Sequence, residues 1–151
     1  MNLNRFLFLF VCFIFTNPLQ LIAQRDTLSG LWEGVLTIEN GFKTFDTYTV
    51  FFNFVEEKDS ISGISTIVYK GKSARLSFQA KRKTPDILEI KETEIIIADA
   101  LPNAEWCIKN IILKRFFENN QVIWRGEWTG ITSFSNCFPG KIYIKQSVKR
   151  V

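Results

Sequence analysis

Histidine is absent from the 151 residues, and cysteine is scarce at three. Without histidine, a serine nucleophile has no usual base, and a pair of thiolates has none of the imidazole partners that complete most zinc sites. Methionine occurs once and proline four times. The longest apolar run covers residues 6–15, well short of the roughly 20 residues a spanning helix needs. No window of eleven residues keeps a helical period, and no repeat or low-complexity tract interrupts the chain. Excess charge is also missing. The net charge is +4, and the basic clusters Lys81-Arg82-Lys83 and Lys149-Arg150 fall at a turn and at the end of the chain. Such scattered charge reads as solvated surface and gives no nucleic-acid footprint.

What is present begins with an export signal. Asn2 and Arg5 open it, Leu7 to Phe15 form its apolar core, and Leu21-Ile22-Ala23 supply a small-residue cleavage site. Residues 1–23 are therefore expected to be removed, leaving a secreted or periplasmic envelope protein, residues 24–151, with no stable membrane span. Arg5 is the one charged residue lost, so the mature chain would carry +3. One domain is expected of a chain this long. Cys12 leaves with the signal, and Cys107 and Cys137 remain to meet an oxidising compartment. A disulfide is the expected state for that pair.

The mature chain reads as eight strands. Period-two alternation marks 31–38, 44–55, 60–69, 73–81, 87–97, 106–117, 121–131 and 141–146. Asn40-Gly41, Glu57-Lys58-Asp59, Lys70-Gly71-Lys72, Thr84-Pro85-Asp86 and Glu118-Asn119-Asn120 are turn sequences, and the phase uncertainty near Glu92-Thr93-Glu94 suggests a bulge. Eight strands on mostly short connections suit an all-β, antiparallel up-and-down barrel that closes by pairing its last strand with its first. In such a meander the start of strand six and the end of strand seven share a rim. Neighbouring strands lie about 4.8 Å apart, which brings Cys107 and the loop of Cys137 within reach of each other.

Gly30-Leu31-Trp32, a G-x-W triplet opening the first strand, resembles the calycin superfamily: lipocalins, avidins and fatty-acid-binding proteins. That resemblance implies that Trp32 plugs the closed end under a basic side chain from the last strand, with Lys145 the first candidate and Lys149 or Arg150 behind it. The helix that follows a lipocalin barrel has no counterpart here, and the biotin-binding set of the avidins cannot be placed. The order of Leu28, Trp106-Cys107, Gly126-x-Trp128 and Cys137-x-x-Gly140 is also similar to small β domains of exported bacterial proteins.

Two regions are candidate sites. Trp32, Trp124 and Trp128 share faces with glycines, and their rings either pack over glycines of neighbouring strands or wall a ligand cavity. The disulfide-side rim gathers Phe42, Trp106, Phe134 and Phe138, while the opposite rim carries charge. Paired carboxylates, Glu33 with Glu127 or Glu92 with Glu94, could in principle cleave a glycoside, but acids on strand faces are ordinarily solvated. The expected function is therefore non-enzymatic, with no cofactor and no metal. An exported protein holds a small apolar or carbohydrate-like ligand, or a partner's loop, at the disulfide rim. The alternative is a solid-core envelope module, an enzyme inhibitor among its forms, that docks another protein. A cavity walled by Trp124 and Trp128 would favour the first, and a packed interior with exposed Phe134 and Phe138 the second.

Overall fold

The computed structural model describes residues 27–39 and 44–147; the signal, Phe42, the Asn40-Gly41 turn, Lys149 and Arg150 lie outside them. The described residues form eight antiparallel strands: β1 (Gly30–Glu39), β2 (Thr44–Glu57), β3 (Ser60–Tyr69), β4 (Lys72–Thr84), β5 (Ile87–Ala98), β6 (Ile108–Glu118), β7 (Gln121–Ile131) and β8 (Gly140–Gln146). Each pairs with the next, and β8 closes on β1 through Trp32 opposite Gln146 to Leu36 opposite Ile142. The all-β, closed, up-and-down barrel expected from the alternation is the fold observed.

Turn chemistry explains why the strands stop where they do. Lys70 (φ 47°) and Gly71 (φ 77°) both take positive φ, as do Asn119 (49°) and Asn120 (59°). Two successive residues of that kind make the hairpin turn whose twist matches its flanking strands. β4 runs on to Thr84, three residues past its expected end, and β6 also departs from the sequence reading. It begins at Ile108, two residues later than expected, because the Trp106 indole Nε1 donates to the Asp99 carbonyl oxygen at 2.8 Å and anchors the segment before the strand as a loop.

Inward positions are apolar nearly throughout. Phe52, Phe54 and Phe78 meet ring to ring at centroid distances of 5.0 to 5.6 Å, a geometry that adds aromatic pairing energy to burial. Glycines let this interior close up. A Cβ on Gly63 would stand 2.7 Å from the Phe78 ring, and one on Gly140 would stand 2.7 Å from Trp128 Nε1. Trp128 thus lies against a glycine of β8, and Phe78 against one of β3. At the end away from the disulfide, Trp32 meets Phe54 edge-on, and its Nε1 donates to the Leu28 carbonyl oxygen.

The calycin-derived cover for Trp32 is not supplied by Lys145. That lysine stands opposite Glu33, in phase with Lys141 and Tyr143 on the outer face, whereas Ile142 and Ile144 point inward. The period of two decides this, since Trp32 is an inward residue and Lys145 an outward one. Leu28, packed in the core, is the residue bonded to the indole.

Candidate functional site

The site is built at the disulfide end, where β5 and β6 part. Their ladder runs from Ile87 opposite Lys114 to Lys91 opposite Asn110 and stops there. Beyond it β5 stays paired with β4 as far as Ala98, while Ile108 and Lys109 pair with β7. Two register shifts against β4 bend this part of β5: Glu92 pairs with Phe78 and Glu94 with Ser77, then Ile95 pairs with Leu76 and Ile97 with Arg75. Thr93 and Ile96 are the extra residues. The first shift is the bulge anticipated from the sequence, and it separates the two acids: Glu92 keeps the inward phase of Leu88 and Ile90, while the extra Thr93 leaves Glu94 exposed.

Glu92 occupies the fork between the two strands. One carboxylate oxygen accepts from Ser65 Oγ at 2.7 Å, and the other accepts from both the backbone N and the Nζ of Lys109 at 2.9 Å. Lys109 Nζ also donates to the Cys107 carbonyl oxygen at 2.7 Å and lies 6.0 Å from the Trp128 ring centre. All three polar residues are buried. Burial presses the Lys109 ammonium below the ordinary lysine range, and the Glu92 carboxylate opposes that shift. Glu92 gives the Lys109 amide the acceptor that a β5 carbonyl would otherwise have provided. The pair therefore seals the inner end of the slit between β5 and β6.

Outside this seal lies a groove of about 560 Å³ between β5 and the start of β6. Ile95 and Ala98 form one wall, Ile108 and Ile131 the other, with Trp106 and Leu101 at the end. Its two charged lining residues are Asp99 and Glu105. Glu105 accepts from the N and Oγ of Ser133 at 3.1 and 2.8 Å, which fastens the Thr132–Pro139 loop to the loop preceding Cys107. The Cys107–Cys137 disulfide, with Cα atoms 6.5 Å apart, staples the same two segments. Within the loop, Thr132 Oγ1 accepts from the amides of Phe134 and Ser135, and the Thr132 amide donates to the Ser135 carbonyl oxygen. That tight turn holds the Phe134 side chain in solvent.

Among the residues singled out from the sequence, Trp124 and Trp128 are 1% and 2% exposed, and Phe134 and Phe138 are 87% and 68% exposed. A cavity of a few hundred Å³ walled by the two indoles would leave their faces open to a water-sized sphere, and these values leave no room for one there. Ile38, Tyr48, Tyr69 and Leu101 pack against the core as well. Tyr48 stacks on Tyr69 at 4.5 Å, and the Tyr69 hydroxyl donates to Asp46 at 2.7 Å. Burial, then Asp46 and Tyr69, push the Tyr48 hydroxyl up to about 12. Trp106 is buried with one side on the groove and does not share the exposed surface of Phe134 and Phe138.

The imagined carboxylate pairs do not form. Glu92 faces in and Glu94 is exposed, while Glu33 and Glu127 alternate with inward Trp32 and Trp128 and so lie on the outer face. Among the described residues no three of His, Cys, Asp and Glu converge as metal ligands. The residue overlooked in the sequence was Lys109. Its signal was phase, since Lys109, Ile111 and Leu113 occupy alternate positions of β6, as Leu88, Ile90 and Glu92 do on β5. No family model matches the chain, and no curated protein matches it in sequence.

Proposed function

We propose that this protein is an exported, non-catalytic β-barrel module that docks another envelope protein through its disulfide end. The observation that carries the reading is a contrast between inside and outside. The indoles that would wall a ligand chamber are packed shut, while Phe134 and Phe138 are exposed on the loop whose Thr132 and Ser133 line a mainly apolar groove. Large aromatic side chains on a stapled loop are the groups that dominate binding energy once covered. Inhibition of an exported enzyme is one form such docking can take. The reading also takes the barrel as calycin-like, on the strength of the G-x-W opening and a meander of eight strands. A small apolar or carbohydrate-like ligand held against Trp124 and Trp128 has weaker support, for want of space beside them.

A photo-crosslinking residue placed at 134 or 138 in the oxidised chain tests the proposal in envelope fractions. The expected result is one discrete protein adduct from either position, competed by unlabelled protein and absent when the crosslinker is placed at Asp86 on the opposite end. Saturable quenching of tryptophan by a lipid or sugar at one site per chain, lost on Trp124→Ala, would return the function to a ligand-holding barrel.

A further inference from the structure

The docking reading above leaves the chemistry of the partner open, and the parted strands narrow it. From Thr93 to Ala98, β5 is laddered to β4 on one side and, among the described residues, to no strand on the other. Six residues of strand cover about 20 Å, and an edge of that length presents backbone N–H and C=O groups that another strand can pair with. Natural edges are usually blunted by charge, proline or bulges. This one has Glu94 and bulged residues at Thr93 and Ile96, yet it carries Ile95, Ile96 and Ile97 in succession, all exposed, with Ile97 at 63%. β-Branched residues of this kind favour an extended, paired backbone.

The adjacent space has the matching shape and chemistry. The groove begins at the β5 edge and is bounded on its far side by Ile108 and Ile131, so apolar side chains alternating along an added strand would enter it. Glu92 and Lys109 close the slit at its inner end, which limits an incoming strand to the stretch beyond Lys91. Both charged lining residues, Asp99 and Glu105, are acidic. Resting on the docking reading, we infer that the partner contributes an extended segment that adds as a strand to the Thr93–Ala98 edge of β5, with apolar residues at alternate positions and a lysine or arginine beside Asp99 and Glu105. Main-chain bonds supply affinity in this mode, and alternate side chains supply selectivity.

The test uses the oxidised chain from Gln24 and a displayed library of random nonapeptides, with enriched sequences remade as synthetic peptides. The expected peptides carry alternating apolar residues and at least one lysine or arginine, bind once per chain, and slow amide hydrogen exchange at residues 93–98. Methylating alternate backbone nitrogens of such a peptide should weaken binding at least tenfold while leaving its side chains unchanged. Ile97→Lys, at an exposed position outside the core, should weaken the parent peptide by a similar factor. Enrichment of no peptide, equal binding of the methylated analogue, or protection elsewhere than 93–98 would overturn strand addition. Protection of the same amides by self-association, seen as dimers in sedimentation, would give the edge to a second copy and overturn the inference as stated. The crosslinks from positions 134 and 138 report separately on whether this end docks at all, so the two readings fail by different results.

Discussion

Two tryptophans on one strand have different fates, and the difference can be measured. Trp128 Nε1 donates to the Thr37 carbonyl oxygen at 2.9 Å, whereas Trp124 Nε1 is buried with no hydrogen-bond partner. Replacing either ring with phenylalanine removes the same volume and the same donor, but only the change at 128 strips an acceptor of its partner. Trp128→Phe should therefore cost about 1 to 2 kcal/mol more than Trp124→Phe in urea unfolding. The buried ion pair gives a second residue-scale prediction. Lys109→Met leaves Glu92 still bonded to Ser65 and to the backbone N of residue 109, whereas Glu92→Leu takes the acceptor from a buried amide and leaves a buried ammonium with the Cys107 carbonyl but no counter-charge. Losing one partner of a buried pair costs roughly 3 to 5 kcal/mol, and Glu92→Leu should be the worse of the two in chemical denaturation. Equal losses would show that Glu92 does not serve the Lys109 amide.

At the scale of the element, the segment entering β1 is tied to the end of β2 by the Glu56 carboxylate and by the Glu56 amide, which donates to Ser29 Oγ at 3.0 Å. Glu56 accepts from the Leu28 amide at 2.8 Å and from Thr27 Oγ1 at 3.2 Å, and Arg82 Nε lies 3.4 Å away. Burial alone would raise its pKa. The Leu28 amide, the Arg82 charge and the Thr27 hydroxyl outweigh it and hold the carboxyl below its ordinary 4.5. A depressed folded-state value means that this stabilisation is complete above pH 4.5 and is lost as pH falls through the folded value. Acid titration should accordingly loosen the Leu28 end first, read as faster exchange of the Leu28 amide and a shift in Trp32 emission. Glu56→Gln should abolish that acid step and cost about 1 kcal/mol at neutral pH. If wild type and variant lose stability in parallel below pH 4.5, the tether lies elsewhere.

For the whole molecule, the disulfide limits the unfolded chain as well as the folded one. It joins residues 30 apart and ties the β5–β6 connection to the β7–β8 connection on the side where the barrel wall has parted. Chain-entropy reasoning gives about 3 to 4 kcal/mol for a loop of this length. Replacing both Cys107 and Cys137 with serine should lower unfolding stability by about that amount. Because the break is local, hydrogen exchange should rise most around residues 99–107 and 132–139, while the β2–β3–β4 ladder keeps its protection relative to the global value.

Much of this architecture was written in local pattern. Period-two alternation over Ser60–Tyr69 and Gln121–Ile131 located both strands with the observed ends, and two cysteines in a meander of known strand order had one rim on which to meet. Alternation is a property of neighbouring residues, so it is legible without coordinates. What it could not carry was anything depending on distances between strands. Trp106 looked like the start of β6 until its indole found the Asp99 carbonyl seven residues back. The exposure of Phe134 follows from a turn closed by Thr132, and the packed state of Trp124 and Trp128 follows from the summed volumes of eight facing strands. Above all, the parting of β5 from β6 required a buried Lys109 to meet the inward Glu92 and a bulge at Thr93 to carry Glu94 outward. The sequence by itself determined the strands, their order and the staple. Only the tertiary structure decided which charges went inside, because the cost of burying a charge depends on the partner it finds there.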